Sequence, residues 1–187
     1  MAKRIVPTPE QLRELLSYEA ETGKLYWKER RQELFKDAPC NPRSALCRKW
    51  NDRYAGKEAL ANVGTPGYLS GAIFDTGVMA HRVIWAMVYG FWSEKQIDHI
   101  NGVKTDNRIE NLREASSSEN KFNRGAQSNN TSGFKGVDWS KSNKKWRARI
   151  GVNRKVINLG AYATPELAYA AYCEAAKKYH GEFCRNK

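Results

Sequence analysis

The sequence predicts an α+β protein of two domains, and three observations lead to this prediction. Short segments that alternate apolar and polar residues, as strands do, occur among segments whose apolar residues recur at helical spacing. A polar stretch rich in Gly, Ser and Asn, residues 123–132, is typical of a linker. Beyond it come three strand-like segments and one helical segment. Residues 133–187 are therefore predicted to form a three-stranded antiparallel sheet packed on one helix.

The segment before the linker contains signals for short helices and hairpins. A capping box at Thr8 and Gln11 predicts the start of a helix. Residues 36–56 contain two prolines and no clear period, so they are predicted to be an irregular loop. "GYLSGAIFDTGVMAH" is typical of a hairpin, with its turn predicted at residues 75–77.

Three further helices are predicted from their end signals. "HRVIWAMVYG" is apolar on nearly all sides and ends at Gly90, which is typical of a buried helix. Ser116 and Glu119 form a capping box, so a second helix starts there. The last helix is expected to begin after Thr164 and to end at Gly181.

The charge of the chain indicates a polyanionic partner. Among 187 residues, 32 Lys and Arg face 20 Asp and Glu, for a net charge of +12. Residues 129–187 hold 12 basic and 4 acidic residues, so most of the excess falls in the C-terminal third. Nucleic acid is the simplest partner for such a surface.

Several classes of protein are not expected from this composition. No apolar run approaches the ~20 residues needed to span a membrane, and the N-terminus lacks the apolar core of a signal peptide. The chain is therefore expected to be cytoplasmic. The four cysteines show no CxxC pairing, so free thiols are expected and a structural zinc site is not.

The segment "IDHINGVKTDNRIENLREASSSEN" combines an Asp-His pair with regularly placed asparagines. If Asp98 ends a strand and Asn120 lies in the helix behind it, their oxygens could hold a hard cation such as Mg²⁺. His99 would point the other way and could take a proton from an attacking water. Asn111 could fix the tautomer of that imidazole. Such a set of residues suits phosphodiester hydrolysis.

"DHINGVKTDNRIENLREASSSEN" also resembles the ββα-metal motif of HNH nucleases. The resemblance is closest to homing endonucleases of phages and introns in which the last His is replaced by Asn. The spacing matches, with 12 residues from His99 to Asn111 and 9 from Asn111 to Asn120. The resemblance implies that His99 is the general base and that Asn111 orients it. It also implies that Asp98 and Asn120 hold one divalent cation, Mg²⁺ or Mn²⁺, and not zinc.

The helix before this motif also resembles its counterpart in such phage proteins. His81 begins it, and a structural role is favoured for this residue over a functional one. Asn101 is interpreted as a turn residue, and Asn107 as a residue that closes a loop through a hydrogen bond to the backbone. The nuclease domain is expected to cover residues 1–122, with the ββα-metal motif at about 95–124.

The C-terminal domain carries a row of cations along one predicted strand. In "KWRARIGV", Lys145, Arg147 and Arg149 fall on one face, whereas Trp146 and Ile150 fall on the other. An ordinary solvated face would mix the signs of its charges. A sheet that presents such a row fits the DNA major groove, where Arg can bind phosphates or read guanine.

The segment from "SGFKGV" through "KWRARI" to "LGAYATPELAYAAYCEAA" resembles the ethylene-response-factor (APETALA-type) DNA-binding domain. That family lays its sheet in the major groove and supports it with the helix. The contacts that this resemblance implies are Lys135, Trp139, Lys145, Trp146, Arg147, Arg149, Arg154 and Lys155. Trp146 could either contact the sugar-phosphate backbone or belong to the core, and the contact is favoured.

Together these features predict a metal-dependent HNH endonuclease of the homing type that acts on double-stranded DNA in the cytoplasm of a phage-infected bacterium. The products would be a 5′-phosphate and a 3′-hydroxyl. A monomer with one active site would nick one strand, whereas a double-strand cut would need a dimer or two events. Two alternatives are a DNA-binding regulator on a decayed HNH scaffold and a protein that binds or cuts RNA. The groove-reading sheet disfavours the latter.

Overall fold

The computed structural model describes residues 6–123, 125, 130–152 and 155–184. The chain forms two compact units. The first comprises the residues up to His99 with Val103–Glu114, and the second comprises Ile100–Gly102 and the residues from Ala115 onward. Helices and several small sheets together confirm the α+β class. None of the helices in these ranges has the length and apolarity needed to cross a lipid bilayer.

The chain begins with a helix and a three-stranded sheet. Helix α1 (Pro9–Leu15) starts at the predicted capping box, in which Thr8 and Gln11 exchange side-chain and backbone hydrogen bonds. The sheet consists of β1 (Leu16–Glu19), β2 (Lys24–Trp27) and β3 (Glu58–Ala59), in that order and antiparallel. Gly23 makes the turn between β1 and β2 with a φ of +73°, which favours glycine.

Helix α2 (Arg43–Tyr54) occupies a segment that was predicted to be an irregular loop, so the prediction for residues 36–56 was wrong there. Pro42 stands at the N-cap, where its extended backbone is compatible with the start of a helix. None of the α2 residues is buried. The apolar stripe that announces most helices is therefore missing from its sequence.

A hairpin and a buried helix follow. Strands β4 (Asn62–Val63), β5 (Leu69–Ile73) and β6 (Thr76–Met79) form an antiparallel sheet, and α3 (Ala80–Tyr89) continues directly from β6. The turn is Phe74–Asp75, slightly earlier than the predicted residues 75–77. Both turn residues have positive φ, 48° and 59°, as two-residue hairpin turns of the primed type require.

The core of the first unit surrounds α3, which ends at Gly90 as predicted. Its side chains pack against apolar residues of α1, the first sheet and β5. The most completely buried members are Leu12, Leu15, Leu16, Leu25, Ile73, Val83, Ile84 and Ala86. This core positions the strand that follows α3.

Strands β7 (Gln96–His99) and β8 (Leu112–Ala115) form a two-stranded sheet, and a 3₁₀ turn at Ile109–Asn111 leads into β8. Helix α4 (Ser117–Phe122) then starts at the predicted Ser116–Glu119 capping box. Residues 124 and 126–129 of the predicted linker lie outside the described residues.

The C-terminal segment has the predicted three strands and one helix. Strands β9 (Val137–Ser140), β10 (Lys145–Val152) and β11 (Lys155–Tyr162) form an antiparallel sheet in the order β11-β10-β9. Helix α5 (Pro165–His180) is capped by Thr164, whose hydroxyl accepts from the backbone N–H of Leu167. Its alanines and Tyr172 pack on Val137, Ala148 and Ile150 of the sheet.

Candidate active site and nucleic-acid interface

His99 stands at the end of β7, and its imidazole is fixed by an amide side chain. The ring Nε2 lies 2.8 Å from Oδ1 of Asn107, and both side chains are buried. Because an amide oxygen can only accept a hydrogen bond, Nε2 is the nitrogen that carries the proton. Nδ1 is then the basic nitrogen of the neutral ring. The Asn107 amide therefore sets the tautomer of His99.

The surroundings of His99 favour its neutral form. Burial lowers the pKa of His99, whereas the hydrogen bond that its ring donates to Asn107 and the carboxylate of Asp98 raise it, and the net shift is downward from the usual value. At neutral pH the ring is consequently unprotonated. A neutral imidazole is the form that can take a proton from water.

Two further rings pack around His99. The centroids of His81 and Tyr68 lie 5.1 Å and 5.7 Å from that of His99, and His81 meets it edge to face. Burial, with a smaller contribution from His99, lowers the pKa of His81 to about 3. His81 is thus a buried neutral side chain at the base of the site, in accord with the structural role favoured for it.

Asp98 is held by an arginine from the neighbouring strand. Nε and Nη2 of Arg113 both donate to Oδ2 of Asp98, at 3.1 Å and 3.0 Å. The pair is buried, with side-chain exposures of 14% for Arg113 and 6% for Asp98. Arg113 compensates the charge of the carboxylate and fixes its orientation.

Asn111 and Asn120 occupy different elements. Asn111 ends the 3₁₀ turn, and its Nδ2 donates to the carbonyl oxygen of Asp106 at 2.7 Å, which ties it to the loop that carries Asn107. Asn120 lies in α4, half-buried, in the second unit. Within the described residues, no group of three or more His, Cys, Asp or Glu side chains comes together as a metal site.

The outer face of the C-terminal sheet carries a charged cluster. Nη2 of Arg147 donates to Asp138 at 2.6 Å, and Nε of Arg149 donates to the other carboxylate oxygen at 3.0 Å. Burial tends to raise the pKa of Asp138, but the bonds from both arginines outweigh it and the pKa is lowered. The carboxylate therefore stays charged and orders both guanidinium groups. Nε of Arg147 has no hydrogen-bond partner among the described residues.

Two models of known protein families match the chain, an HNH endonuclease model over residues 78–122 and an AP2 domain model over residues 132–182. The chain is also similar to Protein 3.8 of Escherichia phage T7, with 35% identity over 89 residues, which are 48% of this chain and 73% of that protein. The chain belongs to the family of Protein 3.8 and contains an HNH endonuclease domain. It also carries an AP2 domain, and no solved structure matches it.

The HNH match contains all four residues that were predicted for the nuclease site. It begins at residue 78, in the middle of the chain, so the prediction of an HNH domain that fills the N-terminus from residue 1 needs correction. Both matched families support a role on DNA. The AP2 match covers the sheet and α5 described above.

The direct partners of His99 and Asp98 were not predicted from the sequence. Asn111 was predicted to orient His99 and Asn107 to bond the backbone, whereas the amide bonded to Nε2 of His99 is that of Asn107. The sequence placed Asn107 in the "TDNR" loop. Spacing alone does not distinguish an asparagine that binds His99 from one that stabilises a turn. Arg113 could have been found as an opposite charge on the strand next to Asp98.

The AP2 residues separate into two groups. Trp146 packs with the inner cluster of Val137, Ala148 and Ala168, and its cross-strand partner Trp139 contacts it at 5.1 Å between centroids. Both tryptophans thus lie on the face that carries α5. The cationic residues on the opposite face are Lys145, Arg147 and Arg149, whereas Lys155 pairs with Val152 and so lies at the end of the face that carries α5. Nζ of Lys135 donates to the carbonyl oxygen of Phe122, and Arg154 lies outside the described residues.

The β1–β2 hairpin contacts the loop that carries Asn107 and stabilises it. The hydroxyl of Tyr18 accepts from the backbone N–H of Ile109 at 2.8 Å and donates to the carbonyl oxygen of Asn107 at 3.3 Å. A Cβ at Gly23 would stand 2.5 Å from the backbone nitrogen of Arg108, so the hairpin turn touches the same loop. The first strands therefore hold the partner of His99 in place.

Replacing Tyr18 with phenylalanine is expected to lower the cleavage rate several-fold and to leave DNA affinity unchanged. The change removes two hydrogen bonds to the Asn107 loop, each worth about 0.5–1.5 kcal/mol, but keeps the ring. Single-turnover cleavage and equilibrium binding of one DNA duplex measure the two effects. Tyr26→Phe is the matched control, since among the described residues that hydroxyl donates only to the exposed Glu19, at 3.4 Å. Equal rates for the two variants would refute the support role of Tyr18.

Proposed function

We propose that this chain is a metal-dependent DNA endonuclease of the homing type that hydrolyses a phosphodiester bond and leaves a 5′-phosphate and a 3′-hydroxyl. The observation that carries the proposal is the buried His99, which burial keeps neutral and whose tautomer is set by Asn107. This is the arrangement that a general base needs. The HNH and AP2 matches support DNA as the substrate.

In the proposed reaction, Nδ1 of His99 takes a proton from a water molecule. The water oxygen forms a bond to phosphorus, and the bond from phosphorus to O3′ breaks. O3′ leaves with the electron pair and takes a proton from solvent. Asn107 accepts from Nε2–H throughout, so it stabilises the imidazolium that forms. Asn111 stabilises the same loop, because its amide donates a hydrogen bond to the carbonyl oxygen of Asp106.

The residues proposed as metal ligands suit a hard divalent cation. Asp98 offers a carboxylate and Asn120 an amide oxygen, the donor types that Mg²⁺ and Mn²⁺ prefer. Arg113 keeps the Asp98 carboxylate oriented in a buried position. When bound, such an ion would stabilise the negative charge on the phosphate and on the leaving oxygen.

The AP2 domain is proposed to bind double-stranded DNA through the outer face of its sheet. Arg147 and Arg149, ordered by Asp138, would contact phosphates or base edges in the major groove. With one active site per chain, a monomer would produce a nick. The phage origin of Protein 3.8 supports the cytoplasm of an infected bacterium as the place of action.

Asn107→Ala is expected to slow cleavage roughly 5- to 150-fold, the equivalent of a buried hydrogen bond worth about 1–3 kcal/mol. The ring of His99 would lose the acceptor that selects its tautomer. Single-turnover rates at saturating enzyme measure this effect without interference from binding. Asn101→Ala in the neighbouring exposed turn is the control, and a loss of the same size in both variants would contradict the role of Asn107.

The chemistry of the products tests the proposed reaction itself. Open circular DNA made from a supercoiled plasmid should be resealed by DNA ligase without prior treatment, because ligase requires a 5′-phosphate beside a 3′-hydroxyl. Circles that ligase seals only after the ends are exchanged by kinase and phosphatase would contradict the proposed bond cleavage. Linear plasmid as the first product would contradict nicking by single sites.

A further inference from the structure

Helix α2 is attached to the first unit by specific polar and aromatic contacts. The backbone N–H of Arg30 donates to Oδ1 of Asn51 at 2.9 Å, and Nδ2 of Asn51 donates to the Arg30 carbonyl at 3.0 Å. The thiol of Cys47 donates to the same carbonyl. The guanidinium of Arg30 stacks on Trp50, 3.8 Å from its ring centroid, and Trp50 meets Trp27 edge to face. The inner face of α2 is thus fixed in one orientation.

The outer face of α2 is cationic and exposed. Together with Ala45 and Asp52, the exposed residues Arg48, Lys49 and Arg53 line a shallow depression of about 530 Å³. Neither Arg48 nor Lys49 forms an ion pair within the described residues. Asp52 is the one carboxylate among these lining residues. Since none of the α2 residues is buried, the helix adds little to the core. Its outer face is exposed to solvent.

The positive charge of residues 1–128 is concentrated in the segment that contains this helix. Residues 24–57 contain 10 Lys and Arg and 4 Asp and Glu, a net charge of +6. The whole of residues 1–128 carries 20 basic and 16 acidic residues, so the part outside 24–57 has 10 basic and 12 acidic residues and is net negative. A local excess of positive charge attracts a polyanion to the part of the surface that carries it.

We propose that the outer face of α2 binds the phosphate backbone of DNA and gives the first unit a DNA-contact surface in addition to the AP2 sheet. Lys49 and Arg53 are about one turn apart, roughly 6 Å along the helix axis. The phosphates of one DNA strand follow each other every ~3.4 Å along the duplex axis, so both side chains can reach phosphates of the same strand. DNA as the occupant rests on the proposed function.

The salt dependence of binding provides the test. Each phosphate contact contributes about 0.9 to the slope of log Kd against log salt, so the full-length double variant Lys49→Ala/Arg53→Ala should lower that slope by about 1.8 and raise Kd several-fold. The control Lys177→Ala/Lys178→Ala removes the same charge from exposed positions of α5 and should leave the slope unchanged. A 20-base-pair duplex in EDTA serves as the probe, so no cleavage interferes. Thermal unfolding checks that both variants are folded.

A second variant should act in the opposite direction. Asp52→Asn removes the carboxylate from the α2 face and is expected to tighten DNA binding, whereas Glu174→Gln on α5 is not. Equal slopes for the α2 and α5 double variants, or no effect of Asp52→Asn, would overturn the proposal. An α2 face that binds an acidic protein instead would give that same result. Absence of cleavage would contradict the proposed function but would leave these binding measurements intact.

Discussion

Replacement of His99 with glutamine is expected to lower the rate of DNA cleavage by about 10²- to 10⁴-fold, the usual contribution of a positioned general base. Glutamine has a similar length and keeps a polar group near Asn107, but it cannot take a proton from water. Because His99 is buried and lies away from the AP2 residues in sequence, DNA affinity should be unchanged. Single-turnover cleavage of a labelled duplex and a mobility-shift titration measure the two quantities on one sample.

The outcome of this substitution separates three accounts. Loss of cleavage with intact binding supports His99 as the base. Loss of both would show that His99 maintains the fold or the DNA-binding surface, which would contradict its assignment. An unchanged rate would place the chemistry elsewhere in the chain. His81→Phe is a useful companion, because His81 packs edge to face on the same ring but is not proposed to exchange a proton.

The double substitution Arg147→Ala/Arg149→Ala is expected to weaken DNA binding strongly. Each arginine contact with a base or phosphate is worth about 1–3 kcal/mol, so the Kd should rise by one to several orders of magnitude. Both side chains lie on the outer face of the sheet and are ordered by Asp138, so little conformational freedom is lost on binding. Fluorescence anisotropy with a labelled duplex over a range of salt concentrations measures the change.

Two comparisons make this result specific. The Lys177→Ala/Lys178→Ala variant removes the same charge from α5 and should retain its affinity. The metal requirement for cleavage should be the same in wild type and in the arginine variant, because neither arginine lies in the HNH segment. Unchanged affinity after loss of both arginines would mean that the outer face of the sheet is not the DNA-binding surface.

Elements with local signals were predictable from the sequence. The capping boxes at Thr8 and Ser116 both form, because each depends on residues three positions apart. The C-terminal strands and α5 also follow their alternation and end signals. Helix α2 has no apolar stripe, since its inner face is held by Asn51 and Trp50 rather than by a core, and it was therefore missed.

The partners within the site depended on tertiary contacts. The sequence identified His99 and Asp98 through a family motif, but the choice between Asn107 and Asn111 depends on how the loop is held against the β1–β2 hairpin. Tyr18 lies 89 residues before Asn107, so no local pattern connects them. Likewise, alternation correctly separated Arg147 from Trp146, but only the packing of α5 showed which face is covered.

The most direct test of the central claim is conversion of supercoiled plasmid in Mg²⁺ or Mn²⁺ by the wild-type chain, beside His99→Gln and an EDTA control. We expect open circular DNA from the wild type with either ion, and none from the variant or with EDTA. Cleavage that persists in EDTA, or in the His99 variant at the wild-type rate, would contradict it. Plasmids that stay supercoiled across a range of candidate target sequences would favour a DNA-binding regulator instead.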